Sequence, residues 1–230
     1  MCGHYFVRLL GLMVCFQVFT SASCNKATNT TTSPDSGDLG TVNAWVTTGD
    51  RVQLLKKQPS LSFVNQSNND LTIVVNPSQT FQTIEGFGYT LTGGSAMLLN
   101  QLSAGNRAQI LQELFGNGEN SIRVSYLRIS IGASDLDSAV FSYNDLPAGQ
   151  TDPMLQQFSI AKDKENLIPV LKEILAINPA IKIMGSPWSP PAWMKNNDAT
   201  KGGSLEPQYY SVYADYLVKY IQAMKAEGII

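Results

Sequence analysis

A chain of 230 residues holds one large domain or two small ones, and 43% apolar residues is enough for an ordinary packed core. The formal net charge is -2 and the Lys and Arg residues are scattered, so there is no basic stripe to engage nucleic acid. The single histidine, His4, stands in the N-terminal segment; the remainder can run neither Ser-His-Asp nor Cys-His catalysis nor build a histidine-rich zinc site, which leaves carboxylate chemistry. No motif implies a metal or organic cofactor.

Residues 1–23 read as an export signal. Arg8 supplies the positive start, 9–19 is apolar but too short to span a bilayer, and Ser21-Ala22-Ser23 places small residues before Cys24. A cysteine directly behind small residues is the pattern of a bacterial lipoprotein, whose mature N-terminal cysteine carries lipid. The expected location is the cell envelope, with lipid on Cys24 as the one membrane contact; plain cleavage and secretion is the alternative. Cys2 and Cys15 leave with the signal, so no internal disulfide is expected. Residues 24–41, rich in Thr, Asn, Ser, Gly and Asp, bury too little apolar surface to offset their chain entropy and read as a disordered tether.

Residues 42–82 show short alternating runs, Leu61-Ser62-Phe63-Val64 and Leu71-Thr72-Ile73-Val74-Val75, broken by Asn-rich turns: the pattern of antiparallel strands. From residue 83 strands and helices alternate, which predicts an α/β fold with a parallel sheet. The first strand covers 84–91, with Gly86 and Gly88 allowing a close backbone approach. Ser103-Ala104-Gly105 opens a helix with Ile110, Leu111, Leu114 and Phe115 on one face, ending at Gly116. A second strand at 125–131 contains Arg128, and a helix at 162–177 carries Leu167, Ile168, Leu171, Ile174 and Leu175 at helical spacing. A third strand covers 181–185. Pro207 opens a third helix whose stripe of Tyr213, Tyr216, Leu217, Tyr220, Ile221 and Met224 belongs to the core. A fourth strand is expected to begin at Gly228-Ile229-Ile230. Three βα units leave an apolar parallel sheet edge open, so the sequence reads as the N-terminal part of a larger protein.

The most informative run is Ser186-Pro187-Trp188-Ser189-Pro190-Pro191-Ala192-Trp193-Met194-Lys195. Prolines remove backbone donors and fix φ, so neither helix nor ladder continues, and two tryptophans sit in a stiff loop. They either cover the core or form a platform for the apolar face of a sugar ring. This run resembles the loop after the third barrel strand in glycoside hydrolase family 30, which includes the glucosylceramidases and their bacterial relatives. Glu85-Gly86-Phe87-Gly88-Tyr89-Thr90-Leu91-Thr92-Gly93 and Leu127-Arg128-Ile129-Ser130-Ile131-Gly132-Ala133-Ser134-Asp135 agree with that family in order and spacing. The resemblance runs from about Trp45 to the last residue.

The resemblance implies a (β/α)8 TIM barrel whose first three units occupy 83–230, preceded by strands of a side β-sandwich at 42–82. It implies a retaining β-glycosidase, in which two carboxyl groups about 5 Å apart serve as acid/base and nucleophile. In the family both are glutamates, one in an Asn-Glu-Pro motif ending the fourth strand and one ending the seventh. Neither position falls within these residues, and Glu85, Glu113, Glu119, Glu165, Glu173, Glu206 and Glu227 match neither role. The 230 residues are therefore expected to bind substrate and, alone, to be inactive. By resemblance Asp135 accepts sugar hydroxyls just before the cleaved bond, although Ser134-Asp135-Leu136-Asp137 also suits a turn cap. Leu136 stands where the family often has an aromatic residue. Trp188 lines the same subsite, Trp193 is either its wall or core, and Asn196 with Lys195 rims the site. Arg128 holds the nucleophile carboxylate ionised; without that partner it is expected either buried and unpaired or left wet. The implied partner is a carbohydrate or glycolipid, with a glucosylceramidase-like β-glucosidase first. A β-1,6-glucanase or related glycanase is the alternative within the family, and a non-catalytic carbohydrate-binding envelope lipoprotein the alternative outside it.

Overall fold

The computed structural model describes residues 40–229 apart from 65, 66 and 68. His4, the expected export signal, Cys24 and nearly all of the expected tether lie outside the described residues. Four two-residue strands come first: β1 (Thr41–Val42), β2 (Trp45–Val46), β3 (Lys56–Lys57) and β4 (Leu61–Ser62). The described residues fall into two compact units. In the smaller, β1 pairs antiparallel with β4, Val42 opposite Leu61. The larger unit contains the β2–β3 hairpin and everything from residue 70 onward.

The run Leu71-Thr72-Ile73-Val74-Val75 forms no strand, contrary to the expectation from its alternation. Leu71 and Ile73 are 101% and 89% exposed. Alternation marks a segment able to pair; without a neighbouring ladder the amides of an exposed extended segment bond water instead, and no strand is fixed.

The core of the larger unit is a parallel sheet in the order β5 (Gly88–Leu91), β6 (Tyr126–Ile131), β7 (Lys182–Pro187). Thr90, Arg128 and Met184 stand level across it. Because side chains alternate, Leu91, Leu127, Ile129 and Ile131 turn to one face, where they are buried, and Arg128 and Met184 to the other, where they are exposed. The first strand is shorter than expected, its pairing beginning at Gly88, where a Cβ would overlap the Tyr126 carbonyl. Only glycine permits that approach.

Helices cover the buried face. Thr92 caps α1 (Gly93–Gln101) by accepting from Ser95 N at 3.1 Å, a helix the sequence reading did not anticipate. Ser103 caps α2 (Ala104–Phe115), and Gly116 N closes onto Gln112 O at 3.0 Å, as the sequence predicts. The helix expected over 162–177 is two, α3 (Ala161–Glu165) and α4 (Leu167–Ile177), with Asn166 between them at φ -137°. Pro169 is the cause. It lacks the N–H that would bond the Glu165 carbonyl, so the helix restarts with the proline in its first turn. Asn100 Nδ2 holds the break by donating to Asn166 Oδ1 at 3.1 Å. The third helix opens as a 3₁₀ turn at Pro207–Tyr209 and continues as α5 (Tyr210–Ala226). It buries Tyr216, Tyr220 and Met224, while Ile221, expected inside, is half exposed because it lies off the stripe.

Tyr143, in the segment between β6 and α3, enters this core. Its ring stacks on Tyr216 and Tyr220 at centroid distances of 6.0 and 5.1 Å. Its N–H donates to Tyr216 Oη at 3.1 Å and its hydroxyl to Asp163 Oδ2 at 2.6 Å. Asp163 is only 4% exposed. Burial, reinforced by the nearby Asp137 charge and opposed by the Tyr143 hydrogen bond, pushes its carboxyl from 3.8 up to about 7.

A folded-state value above the unfolded one means that the protonated form is favoured on folding. This contribution is complete below pH ~4 and is lost as pH rises towards about 7. Asp163→Asn, which still accepts from Tyr143, should therefore gain stability relative to the natural chain between pH 5 and pH 8, by about 3 kcal/mol. Thermal unfolding curves at both pH values check this, and parallel shifts in the two proteins would show that Asp163 does not titrate in that window.

Candidate functional site

β6 and β7 run side by side to their C-terminal ends, where Ile131 pairs with Pro187. Trp188 N adds one more bond beyond the ladder, to Ile131 O at 3.4 Å. The loops that follow therefore leave the sheet at one edge, and each carries one of the residues singled out in the sequence.

In the first loop, Ser134–Asp137 is a turn closed by Asp137 N donating to Ser134 O at 3.1 Å. Asp137, not Asp135, is the capping carboxylate: its Oδ2 accepts from both Ser134 N and Ser134 Oγ at 2.7 Å. Asp135 is thereby left exposed at the tip, and its Oδ1 accepts from Trp188 Nε1 at 3.1 Å. Among the described residues it takes no other hydrogen bond, so the second oxygen faces solvent. Trp188 is half-buried. The pair presents an aromatic plate with a carboxylate at its edge, able to receive a flat apolar face and accept adjacent hydroxyls together.

Trp193 has a different place. It is 9% exposed, meets Tyr209 edge-on at 5.1 Å, and donates from Nε1 to Asn144 O and Oδ1, both at 3.0 Å. Its face is not available to a sugar; it is core. Asn196 closes the second loop on itself, donating to Ser204 O and accepting from Ser204 N at 2.9 Å. Lys195 is buried; its Nζ donates to Thr200 O at 2.8 Å, and burial draws its pKa below the ordinary lysine value.

Arg128 stands on the exposed face of the sheet, where Nη2 donates to Ser186 Oγ at 2.9 Å, and it makes no ion pair among the described residues. It is solvated, one of the two states expected of it without a carboxylate partner. With Gly88, Thr90, Tyr126 and Met184 it lines an open depression of about 260 Å³. A larger cavity of about 800 Å³ lies between the β2–β3 hairpin and α2, lined by Leu54, Lys56, Ile110 and Glu113, and contains none of the residues of interest. Asp135 and Trp188 meet instead beyond the C-terminal ends of β6 and β7.

The sequence reading missed Asp137, Asn144 and Ser189. Asp137 had a signal: Ser134-x-x-Asp137 and Ser142-x-x-Asp145 share a spacing, and Asp145 accepts from Ser142 N and Oγ at 2.8 and 2.6 Å just as Asp137 does from Ser134. Asn144 had none, because its partners are distant in sequence.

The model of the glycosyl hydrolase family 30 TIM-barrel domain matches residues 84–230, which include both loops. An endo-1,6-β-D-glucanase of Neurospora crassa is 37% identical over 163 residues, 69% of this chain and 33% of the relative. The lysosomal acid glucosylceramidase of Mus musculus is 28% identical over 172 residues, 72% of this chain and 32% of the relative. A solved endo-β1,6-glucanase superposes with a TM-score of 0.69 at 35% identity, covering 81% of this chain and 41% of that one. The chain thus spans about a third of the length of the curated relatives it matches.

The two tryptophans should separate cleanly in a stability measurement. Trp193→Phe strands Asn144 without its donor and should lower stability by about 1–3 kcal/mol. Trp188→Phe, at the half-exposed plate, should leave the melting temperature nearly unchanged. Equal losses would place Trp188 in the core as well.

Proposed function

The chain belongs to glycosyl hydrolase family 30, and on that premise we propose that it supplies the sugar-binding portion of a retaining β-glycosidase whose substrate is a β-1,6-linked glucan. The observation that carries the reading is the hydrogen bond from Trp188 Nε1 to Asp135 Oδ1, which joins an aromatic plate to a carboxylate at the C-terminal edge of a parallel sheet. Such a pair suits a pyranose, which shows an apolar face and a rim of hydroxyls. The 1,6-glucan linkage is favoured over glucosylceramide by the difference between 37% identity to the Neurospora glucanase and 28% to the mouse glucosylceramidase, and by the superposition on a solved β1,6-glucanase. Glucosylceramide is the second reading, on the strength of the mouse match.

The acid/base and the nucleophile are assigned to residues outside those described. Every glutamate present is otherwise engaged. Glu85 pairs with Lys182, Glu119 with Lys57, Glu165 with Lys162, Glu173 with Arg107, and Glu227 with both Lys164 and Lys172. Glu113 accepts from Gln109 and Glu206 from Gln208. Arg128, whose side chain bonds only Ser186 among the described residues, has the charge to hold a nucleophilic carboxylate ionised once one is brought to the exposed sheet face. Export through 1–23, with lipid on Cys24, belongs to the same proposal.

In the whole protein, Trp188→Ala and Asp135→Ala should each lower kcat/KM on β-1,6-glucan by about a hundredfold or more while leaving the melting temperature in place. Near-normal turnover in either variant removes that residue from the site. A higher kcat/KM on glucosylceramide than on the glucan selects the second substrate. Residues 1–230 alone should release nothing from an aryl β-glucoside; turnover by them would put the catalytic pair inside this chain.

A further inference from the structure

Asp135 and Trp188 sit on different loops, and the ladder that aligns those loops ends at Ile131 and Pro187. What joins the loops further out is a buried polar contact. Asn144 is 1% exposed. Its Oδ1 and its main-chain oxygen both accept from Trp193 Nε1 at 3.0 Å, its Nδ2 donates to Asp152 Oδ2 at 3.0 Å, and its N–H donates to Ser142 Oγ at 3.2 Å. Asp152, 8% exposed, is held in turn by Gln157 N at 2.8 Å. A buried network of this kind has one good geometry, because each unmet group carries the full penalty of its lost water.

The segment between Trp193 and Trp188 passes displacement on. Pro190 and Pro191 fix φ, Pro191 is fully buried, and Ser189 Oγ donates to Thr200 O at 3.0 Å beside the Lys195 ammonium. A shift of Trp193 therefore moves the stiff run as a body, and Trp188 with it.

We propose that Asn144 is a positioning residue for the sugar site: by gripping Trp193 it locks the loop after β7 to the loop after β6 and so holds Trp188 within hydrogen-bond reach of Asp135. This rests on the reading of Asp135 and Trp188 as the sugar-binding pair. The position requires one side chain that accepts from an indole N–H and donates to a carboxylate. Asparagine does both; aspartate does only the first; leucine does neither.

Exchanging donor and acceptor tests this. Asn144→Asp sets a second carboxylate against Asp152. Combining Asn144→Asp with Asp152→Asn restores the bond with its direction reversed; because Asp152 Oδ2 accepts from both Asn144 Nδ2 and Gln157 N, the introduced amide turns so that its nitrogen meets the new carboxylate and its oxygen meets Gln157 N. The whole protein is labelled with 15N-tryptophan, and the indole N–H signals are assigned from Trp188→Phe and Trp193→Phe. In the single variant at neutral pH both the Trp193 and the Trp188 signals should move and exchange faster with solvent, and turnover should fall about a hundredfold. The double variant should return both signals and bring turnover to within about threefold of the natural protein. A Trp193 signal that moves while Trp188 stays in place overturns the proposal, as does a double variant that fails to restore Trp188. Movement and recovery of Trp188 with unchanged turnover upholds the positioning role and sinks the sugar-site reading instead. If the single variant does not fold, the double variant decides alone: a Trp188 signal at its natural position supports the proposal and a displaced one overturns it.

Discussion

The parallel pairing of β6 with β7 governs everything in this molecule that resembles a site. Parallel strands must be entered from the same end, so the chain has to cross back over the sheet between them, and it does so with helices that bury one face. The crossing delivers both strands to the same edge with Ile131 beside Pro187. Two loops then emerge next to each other although Asp135 and Trp188 are 53 positions apart in sequence. The carboxylate reaches the indole because the ladder has already brought their backbones together.

That arrangement is consolidated by polar contacts hidden beneath the loops. Asp137 closes the turn that exposes Asp135, and Trp193 and Asn144 bind one loop to the other. Lys195 and Ser189 both donate to the Thr200 carbonyl and stiffen the second loop from within. Each of these side chains engages a buried or part-buried neighbour, so the contact between Asp135 and Trp188 rests on firm supports.

Much of this was legible in the residues. Ser103 and Gly116 marked the ends of α2 because caps are local chemistry, and the parallel sheet followed from strands alternating with helices. Asp135 and Trp188 could be picked out by motif, although nothing local states that they touch. Local rules failed where a distant partner or an overlooked proline decides. Leu71-Thr72-Ile73-Val74-Val75 alternates like a strand and pairs with nothing among the described residues. The helix over 162–177 breaks because of Pro169, whose effect is local and readable. The burial of Trp193 follows from Asn144, 49 positions away, and no spacing rule reaches that far.

Arg128 has a consequence for how the sheet can be covered. Its guanidinium is exposed on the open face and, among the described residues, tied only to the Ser186 hydroxyl. Any segment laid over that face removes the hydration, and a buried cation left without an anion costs several kcal/mol, more than a few apolar contacts return. A greasy strand that docks there by accident is expelled, whereas one that arrives with a carboxylate at the right level is retained. The exposed charge of Arg128 thus sets a condition on whatever covers this face of the sheet: an anion at its level.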